Sequence, residues 1–383
     1  MRIERVGLRD LRPITETEFQ KAIAACEKIK AIREGRHQYI LDHKLDEGLL
    51  MPAGKYGPGG QFTSLANYAY DLVISGSYEI INHLRLYTHH FCGYSFAPFS
   101  NDLIIHPIPK DFDEQCDKLL KEPDQWVNAY IQLARNTAAH LLPVAPKTLG
   151  EIGWDVNGRI VNHDIFGWQE KLAYLDFSGI LLGLRKRIGM GFGINILELG
   201  GGYGGLAYFF KAALPEANYF IVDLPESLLF SAVYLAITGG EFDHTIYDGT
   251  NLEQVLENNA GFKFISNFMF DDLVEPLKID LMINTSGLPS MSLEQVEHYA
   301  AGIEKMLTGV LYEHNGVPPY SYKKILAAHF PARIGLSPSF AFPNMWGKSY
   351  ADIATFLGTS LASLQGLAED KKWTLYPLPQ PTN

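Results

Sequence analysis

The segment from Ile196 to Leu206, with the sequence ILELGGGYGGL, constrains the fold more than any other part of the chain. Its first residues predict a buried strand, and the glycines predict a tight turn that leads directly into a helix. Such a turn lets the backbone approach a ligand closely, with the ligand at the amino end of the helix. We therefore expect a nucleotide-type cofactor to bind at this turn.

Two acidic residues distinguish between the cofactors that such a turn can bind. Gly200, Gly202 and Gly205 satisfy a dinucleotide pattern, and Asp223 ends the next predicted strand about 20 residues later, where it can bind ribose hydroxyls. Glu198 lies two positions before Gly200, an arrangement that resembles motif I of class I methyltransferases. That arrangement suits a cationic, amino-acid-bearing cofactor, so the sequence predicts S-adenosylmethionine rather than a nicotinamide dinucleotide.

The second half of the chain alternates short apolar runs with helical patterns, which is typical of a parallel sheet with crossover helices. We expect an α/β, Rossmann-like fold of the class I methyltransferase type, with a seven-stranded, mostly parallel sheet and helices on both faces. The expected strands lie near 194–198, 219–222, 262–266, 280–284, 310–313, 333–336 and 373–376. The expected helices in this half cover 203–213, 225–237, 293–307 and 320–328.

Three regions are expected along the chain. Residues 1–150 are predicted to form a mainly helical N-terminal domain, a lid or an oligomerisation region. Residues 151–190 are predicted to form a hairpin, with a type I′ turn at Asn157 and Gly158, and a linking helix over 168–187. Residues 191–383 are predicted to bind the cofactor. The N-terminal helices are expected over 16–33 (ended by Gly35), 65–88 and 112–141 (interrupted at Pro123).

Composition excludes several classes of function. The net charge of −11, from 32 basic and 43 acidic residues, argues against a broad nucleic-acid-binding face, because such faces need Lys and Arg. The three cysteines show no C-x-x-C spacing, so neither a disulfide framework nor a zinc site is expected. Without a leader or a long apolar run, the prediction is a cytoplasmic protein with no membrane contact, a small-molecule substrate and a homo-oligomer through the N-terminal helices.

The carboxyl ends of the predicted strands supply the remaining cofactor contacts. The end of the third strand is expected at adenine, with Asp248 as a competing choice, and the end of the fourth at the methionine part. The predicted cofactor-binding residues are Glu198, Gly200, Gly202, Tyr203, Gly204, Asp223, Asn267, Phe268, Asn284 and Thr285.

Ordered blocks between about 150 and 316 resemble a family of sugar O-methyltransferases. They include GW..NGRIVNHD....QE from 153 to 170, the glycine turn, IVDLPESLLFSAVYL, FKFISNFMF, IDLMINTSGLPSMSLEQVEHY and VLYEHN. The resemblance implies a class I methyltransferase fold and methyl transfer to a hydroxyl, often on a sugar.

Methyl transfer to oxygen requires alignment of the two groups and a base or a metal ion that activates the hydroxyl. The candidate catalytic residues are His314, Glu313 and His163, which lies beside Asp164. No metal site is indicated, although Mg²⁺ bound by Glu313, Asn315 and Asp271 or Asp272 is a minority alternative. The other functions left open are an N-methyltransferase, a nicotinamide-dependent oxidoreductase and a non-catalytic cofactor-binding protein.

Overall fold

A computed structural model describes residues 2–50, 54–57, 65–88, 108–119, 123, 125–285, 287–315, 321–335 and 354–358. The strands in these residues are β1 (Ile3–Val6), β2 (Gly153–Val156), β3 (Arg159–Val161), β4 (Asn195–Leu199), β5 (Asn218–Asp223), β6 (His244–Ile246), β7 (Phe262–Ser266), β8 (Ile279–Thr285), β9 (Leu307–His314), β10 (Ala332–Gly335) and β11 (Ala354–Gly358).

The α-helices are likewise numbered in chain order. They are α1 (Glu16–Asp42), α2 (Leu65–Ile74), α3 (Tyr78–Asn82), α4 (Phe112–Leu119), α5 (Gln125–Asn136), α6 (His163–Phe177), α7 (Ile180–Gly189), α8 (Gly205–Ala213), α9 (Pro225–Thr238), α10 (Leu252–Leu256), α11 (Asp271–Val274), α12 (Leu293–Met306) and α13 (Tyr322–His329).

The main sheet has the strand order β10-β11-β9-β8-β4-β5-β7-β6. The six strands from β9 to β6 pair in parallel, and β11 is antiparallel to both β9 and β10. After β4 the chain first forms β5, β6 and β7 on one side of that strand, and then returns to form β8 and β9 on its other side. Ligands bind at the carboxyl ends of the strands where the order reverses in this way.

The predicted α/β, Rossmann-like architecture is confirmed, but the predicted count of seven strands is wrong. The described residues contain six strands paired in parallel and two paired antiparallel at one edge. The strand β6 was missed because its three residues are too few to produce a recognisable alternation. The strand β11 was also missed, and the strand expected at 373–376 lies outside the described residues.

The N-terminal helices pack directly on the sheet. The apolar face of α1 lies against α9, and one continuous cluster of buried side chains extends across both helices and the sheet. The structure corrects two helix boundaries, because α1 continues through Gly35 to Asp42, and the helix expected over 65–88 breaks at Gly76, which has φ +69°. The interruption expected at Pro123 is confirmed, since α4 and α5 lie on either side of it.

A small antiparallel sheet of β1, β2 and β3 joins the N-terminus to the middle of the chain. The predicted hairpin is confirmed, and its turn has φ 54° at Asn157 and 89° at Gly158, as a type I′ turn requires. The helix expected over 168–187 is two helices, α6 and α7, because Gly179 between them has φ 74°. The domain boundaries at 150 and 190 stay predictions. No helix in the described parts of the chain is both long enough and apolar enough to span a bilayer.

Candidate cofactor and acceptor site

The glycine turn lies at the carboxyl end of β4, where the strand order reverses. Gly200, Gly202 and Gly204 have φ angles of 78°, 56° and 86°, a region that favours glycine. At Gly204 a Cβ atom would lie 3.0 Å from Leu235 of α9, so packing requires glycine there. At Gly200 the nearest atom to a Cβ would be a backbone carbon at 3.7 Å. Among the described residues, packing around the turn is therefore tight at Gly204 and looser at Gly200.

The Asp223 carboxylate connects the end of β5 to this turn. One oxygen accepts a hydrogen bond from the backbone nitrogen of Gly202 (2.9 Å), and the other accepts one from the backbone nitrogen of Leu224 (2.8 Å). Burial raises the pKa of Asp223 to about 7, although both backbone donors act in the opposite direction. The predicted ribose-binding acid is thus held at the turn itself.

Glu198 lies directly beneath the turn and is 1% exposed. Its Oε2 accepts a hydrogen bond from the hydroxyl of Tyr219 (2.9 Å). Burial raises the pKa of Glu198 to about 8, while the Tyr219 hydroxyl and the Lys171 ammonium partly offset that effect. A bound cation near Glu198 would favour its ionised form.

The Tyr203 side chain is directed into the protein rather than toward solvent, and it is 1% exposed. Its hydroxyl accepts a hydrogen bond from Nε1 of Trp168 (2.8 Å), and the guanidinium of Arg85 lies over its ring. The Tyr203 backbone lies in the turn, so the part of this residue placed to touch a ligand is its backbone.

The carboxyl end of β7 presents two buried polar atoms without hydrogen-bond partners among the described residues. They are the hydroxyl oxygen of Ser266 and the side-chain oxygen of Asn267. The Asn267 amide nitrogen donates to the backbone oxygen of Tyr56 (2.9 Å), and Phe268 packs edge-on against Tyr39. The unpaired oxygens are suited to a ligand that donates hydrogen bonds.

The competing choice at this end of the sheet, Asp248, stabilises its own turn. Its Oδ1 accepts hydrogen bonds from the backbone nitrogen (2.9 Å) and the hydroxyl (2.8 Å) of Thr250. Its carboxylate is therefore occupied by local bonds of the kind that aspartate forms in turns.

Asn284, at the end of β8, bonds to the backbone on both sides. Its nitrogen donates to the oxygen of Leu199 (2.8 Å), and its oxygen accepts from the nitrogen of Leu288 (3.2 Å). It thus holds the loop after β8 against the glycine turn. Thr285 is paired with His314 across the two parallel strands.

The histidine that sequence reasoning favoured as a base, His314, ends β9 and is 7% exposed. Its Nδ1 lies 2.9 Å from the hydroxyl of Tyr312, and its ring meets Tyr174 of α6 edge-on. Burial and the nearby Lys171 ammonium hold its pKa well below the ordinary range. His314 is therefore a neutral imidazole at physiological pH.

Glu313, the second catalytic candidate, has different surroundings from His314. Oε1 of Glu313 accepts hydrogen bonds from the Tyr322 hydroxyl (2.6 Å) and the Asn315 amide (2.9 Å). Since Glu313 alternates with His314 along β9, it faces the opposite side of the sheet. The structure therefore does not bring Glu313 and His314 together on one face of the sheet.

His163, at the start of α6, packs edge-on against Trp126 of α5. Its Nδ1 lies 3.1 Å from Asp164, whose other oxygen accepts a hydrogen bond from buried Arg85 (2.6 Å). Asp164 is thus committed to a buried ion pair as well as to His163.

The described residues do not bring the candidate magnesium ligands together. Two hydroxyls, from Tyr39 and Tyr247, donate to Asp272, and the Tyr56 hydroxyl donates to Asp271. Asp271 and Asp272 follow β7 and Glu313 lies on β9, and three other strands separate β7 from β9 in the sheet. No group of three or more acidic, His or Cys side chains in the described ranges could hold a metal ion.

Sequence reasoning missed a segment of the N-terminal region, Gly54–Gly57, that lies over the end of β7. The Gln295 amide donates to the backbone oxygens of Gly54 (2.8 Å) and Gly57 (2.7 Å), and Lys55 and Tyr56 contact Asp271. We call Gly54–Gly57 the strap. No local pattern could reveal it, because its partners lie more than 200 positions away in the sequence.

Lys171 and Tyr312 were also missed, although Lys171 directly follows one of the motifs named above and Tyr312 lies within another. Lys171 directly follows the Gln169-Glu170 pair on α6, and Tyr312 lies two positions before His314 on β9. The Lys171 ammonium donates to the oxygen of Gly167 (3.2 Å) and interacts electrostatically with both Glu198 and His314. It therefore lies near both Glu198 and His314.

Strand order, glycine turn and acidic strand ends together define a Rossmann-like fold of the class I methyltransferase type. No protein-family profile matches the sequence, and no curated protein sequence is significantly similar to it. Membership of a sugar O-methyltransferase family stays a prediction.

Several solved structures are similar to this chain at low identity. The CurJ carbon methyltransferase is 12% identical, covering 89% of this chain and 92% of its own, with a TM-score of 0.33. A provisionally assigned O-methyltransferase from Nostoc punctiforme PCC 73102 is 11% identical, covering 85% and 97%, with a TM-score of 0.30. The bifunctional kinase-methyltransferase WbdD is 12% identical over 50% of this chain, with a TM-score of 0.32, and this chain spans only 39% of its length. Similarity at this level does not assign a substrate.

Proposed function

We propose that this protein is an S-adenosylmethionine-dependent methyltransferase that acts on a hydroxyl of a small molecule, either a sugar or a natural product. The observation that carries the proposal is the bond from the Gly202 backbone nitrogen to Asp223. It joins a turn with three glycines at positive φ to the acid at the next strand end. A ribose-bearing ligand can thereby contact the turn and the acid together.

The residues around the turn fit each part of this cofactor. Asp223 can accept hydrogen bonds from ribose hydroxyls, and the unpaired oxygens of Ser266 and Asn267 can accept bonds from an adenine amino group. Glu198 lies beneath the turn, where an ionised carboxylate would stabilise a cationic ligand. An ionised Glu198 beneath the turn would repel the pyrophosphate of a nicotinamide dinucleotide, which favours the first cofactor over the second.

When bound, the cofactor supplies a methyl group that leaves its sulfonium as the carbon–sulfur bond breaks and a carbon–oxygen bond to the acceptor forms. The acceptor hydroxyl loses its proton in the same process, so a base must lie within hydrogen-bond reach. We favour His314 over His163 and Glu313, because it ends a strand beside β8 and no described residue bonds to its Nε2.

Calorimetry with S-adenosylmethionine, S-adenosylhomocysteine and NAD tests the cofactor assignment. We expect both sulfur compounds to bind and NAD not to bind. Asp223→Ala should weaken binding by about 1 to 3 kcal/mol, because the ribose hydroxyls lose their acceptor. Asp248→Ala is the matched control, since Asp248 also follows a strand of the sheet but bonds within its own turn.

The results of these binding measurements would distinguish the proposed methyltransferase from the alternative functions. Binding of NAD alone would replace the proposal with an oxidoreductase, and weakening by Asp248→Ala instead of Asp223→Ala would move the cofactor site. Mass spectrometry of a panel of sugars, phenols and amines incubated with labelled cofactor then identifies the methylated atom. Transfer only to amines would make the protein an N-methyltransferase, and binding without any transfer would make it a cofactor-binding protein.

A further inference from the structure

The polar cluster around His314 is more extensive than a single base. Tyr312 and His314 are two positions apart on β9, so both face the helices on one side of the sheet. Helix α6 covers them and contributes Glu170, Lys171 and Tyr174. All three of these side chains interact with Tyr312 or His314.

The Tyr312 hydroxyl distinguishes the two nitrogens of the His314 ring. A neutral imidazole carries one N–H, and the nitrogen that bears it is set by the hydrogen bond made at the other position. The hydroxyl lies 2.9 Å from Nδ1, whereas no described residue bonds to Nε2. Nε2 is thus the nitrogen that a ligand can reach.

The charges that face this ring favour its neutral form. Lys171 disfavours a second cation nearby, and burial of His314 acts in the same direction. Burial also keeps the phenols of Tyr312 and Tyr174 protonated, with the Glu170 carboxylate adding to the effect at both. A neutral tyrosine hydroxyl can accept a hydrogen bond, so it can hold Nδ1 as the protonated nitrogen.

We infer that Tyr312 is a positioning residue, which accepts a hydrogen bond from the Nδ1–H of His314 and so directs the unprotonated Nε2 toward the acceptor hydroxyl. The catalytic role of this arrangement rests on the proposed methyltransferase function. In that reaction the hydroxyl proton moves to Nε2 as the methyl group reaches the acceptor oxygen, and His314 becomes an imidazolium until water removes the proton. Tyr312 acts only through His314.

Measuring which ring nitrogen of His314 carries the proton tests the inference, and this measurement needs no acceptor. We suggest long-range ¹H–¹⁵N spectra of the full-length protein with ¹⁵N-labelled histidine rings, with the His314 signals identified by His314→Gln among the 12 histidines. We expect wild-type His314 to carry its proton on Nδ1 and Tyr312→Phe to shift the population toward Nε2–H. Tyr174→Phe is the matched control, because Tyr174 meets His314 through its ring and should leave the tautomer unchanged.

A wild-type His314 protonated on Nε2, or a tautomer unaffected by Tyr312→Phe, would overturn the inference. Lys171→Met provides a second readout, because loss of the ammonium should raise the pH at which His314 titrates. An unchanged titration would contradict the part assigned to Lys171.

Measurements of turnover and cofactor binding then distinguish a failure of this inference from a failure of the proposed function. With an acceptor from the panel, Tyr312→Phe should lower kcat at least about tenfold while S-adenosylmethionine affinity stays unchanged, since the base loses its orientation. An unchanged kcat would remove Tyr312 from the positioning role. Failure of the wild-type protein to bind S-adenosylmethionine would overturn the proposed function, whereas the tautomer result would stand.

Discussion

The guanidinium of Arg85 lies over the ring of Tyr203, with its central carbon 3.7 Å from the ring centroid. Arg85 is fully buried and donates hydrogen bonds to Glu151 (2.8 Å) and Asp164 (2.6 Å), and also to Thr88. Tyr203 lies inside the glycine turn, between Gly202 and Gly204. The N-terminal region therefore supports the cofactor turn through one cation–aromatic contact and one buried ion-pair network.

Removing this cation should destabilise the protein strongly. We expect Arg85→Met to lower the free energy of unfolding by about 3 to 5 kcal/mol, because Glu151 and Asp164 would be left as buried carboxylates without their cation. Urea denaturation measures the change. Arg9→Met removes a much more exposed partner of Asp117 and should cost no more than about 1 kcal/mol. Equal effects of the two variants would show that the network contributes no more than a surface pair.

The buried Glu198 should make stability depend on pH. Its pKa rises from 4.5 in the unfolded chain to about 8 in the fold, so the folded state holds the proton more tightly between these values. Its contribution to stability is complete below pH 4.5 and is lost as the pH rises toward 8, by at most about 1.4 kcal/mol per pH unit. The difference in unfolding free energy between wild type and Glu198→Gln, measured from pH 5 to 8, should follow this slope. A difference independent of pH would contradict it.

Gln295 should control how firmly the strap is held. In Gln295→Glu the side chain can still accept from the Ser292 nitrogen and cap α12, but it can no longer donate to Gly54 and Gly57. We expect a loss of about 1 to 3 kcal/mol in stability, because one buried and one partly buried carbonyl lose their donor.

Faster release of S-adenosylhomocysteine in stopped-flow measurements should accompany that loss. Gln254→Glu is the matched control, because Gln254 occupies the same third helical position on α10 without contacting the strap. Similar release rates for both variants would show that the strap does not restrain the ligand.

Two glycines outside the cofactor turn should respond oppositely to alanine. A Cβ at Gly309 would collide with the backbone oxygen of Asp280, so Gly309→Ala must displace β9 from β8 and lower the unfolding temperature. At Gly189, the last residue of α7, no atom lies within 4 Å of a Cβ. Gly189→Ala should therefore be neutral or stabilise by up to about 1 kcal/mol. A stable Gly309→Ala variant would contradict the close approach of the two strands.

Local sequence patterns predicted the parts of the site that a single segment builds. The glycine turn, Glu198 before it and Asp223 after it all lie where the pattern placed them, because strand, turn and helix signals depend on neighbouring residues. The hairpin at Asn157 followed from turn chemistry for the same reason. Hydrophobic periodicity could not predict the strand β6, because it has only three residues. It also could not predict the break between α6 and α7 at Gly179.

The sequence by itself determined that this chain builds an α/β sheet with a glycine turn at Gly200–Gly204. Only the tertiary structure decided what surrounds that turn. Arg85 contacts Tyr203, the strap contacts Asn267, and α6 brings Lys171 near Glu198 and His314. The physical reason is that these contacts join segments far apart in the chain, so they depend on how whole faces of helices and sheet pack together. The hydrophobic periodicity of a single segment does not reveal such packing.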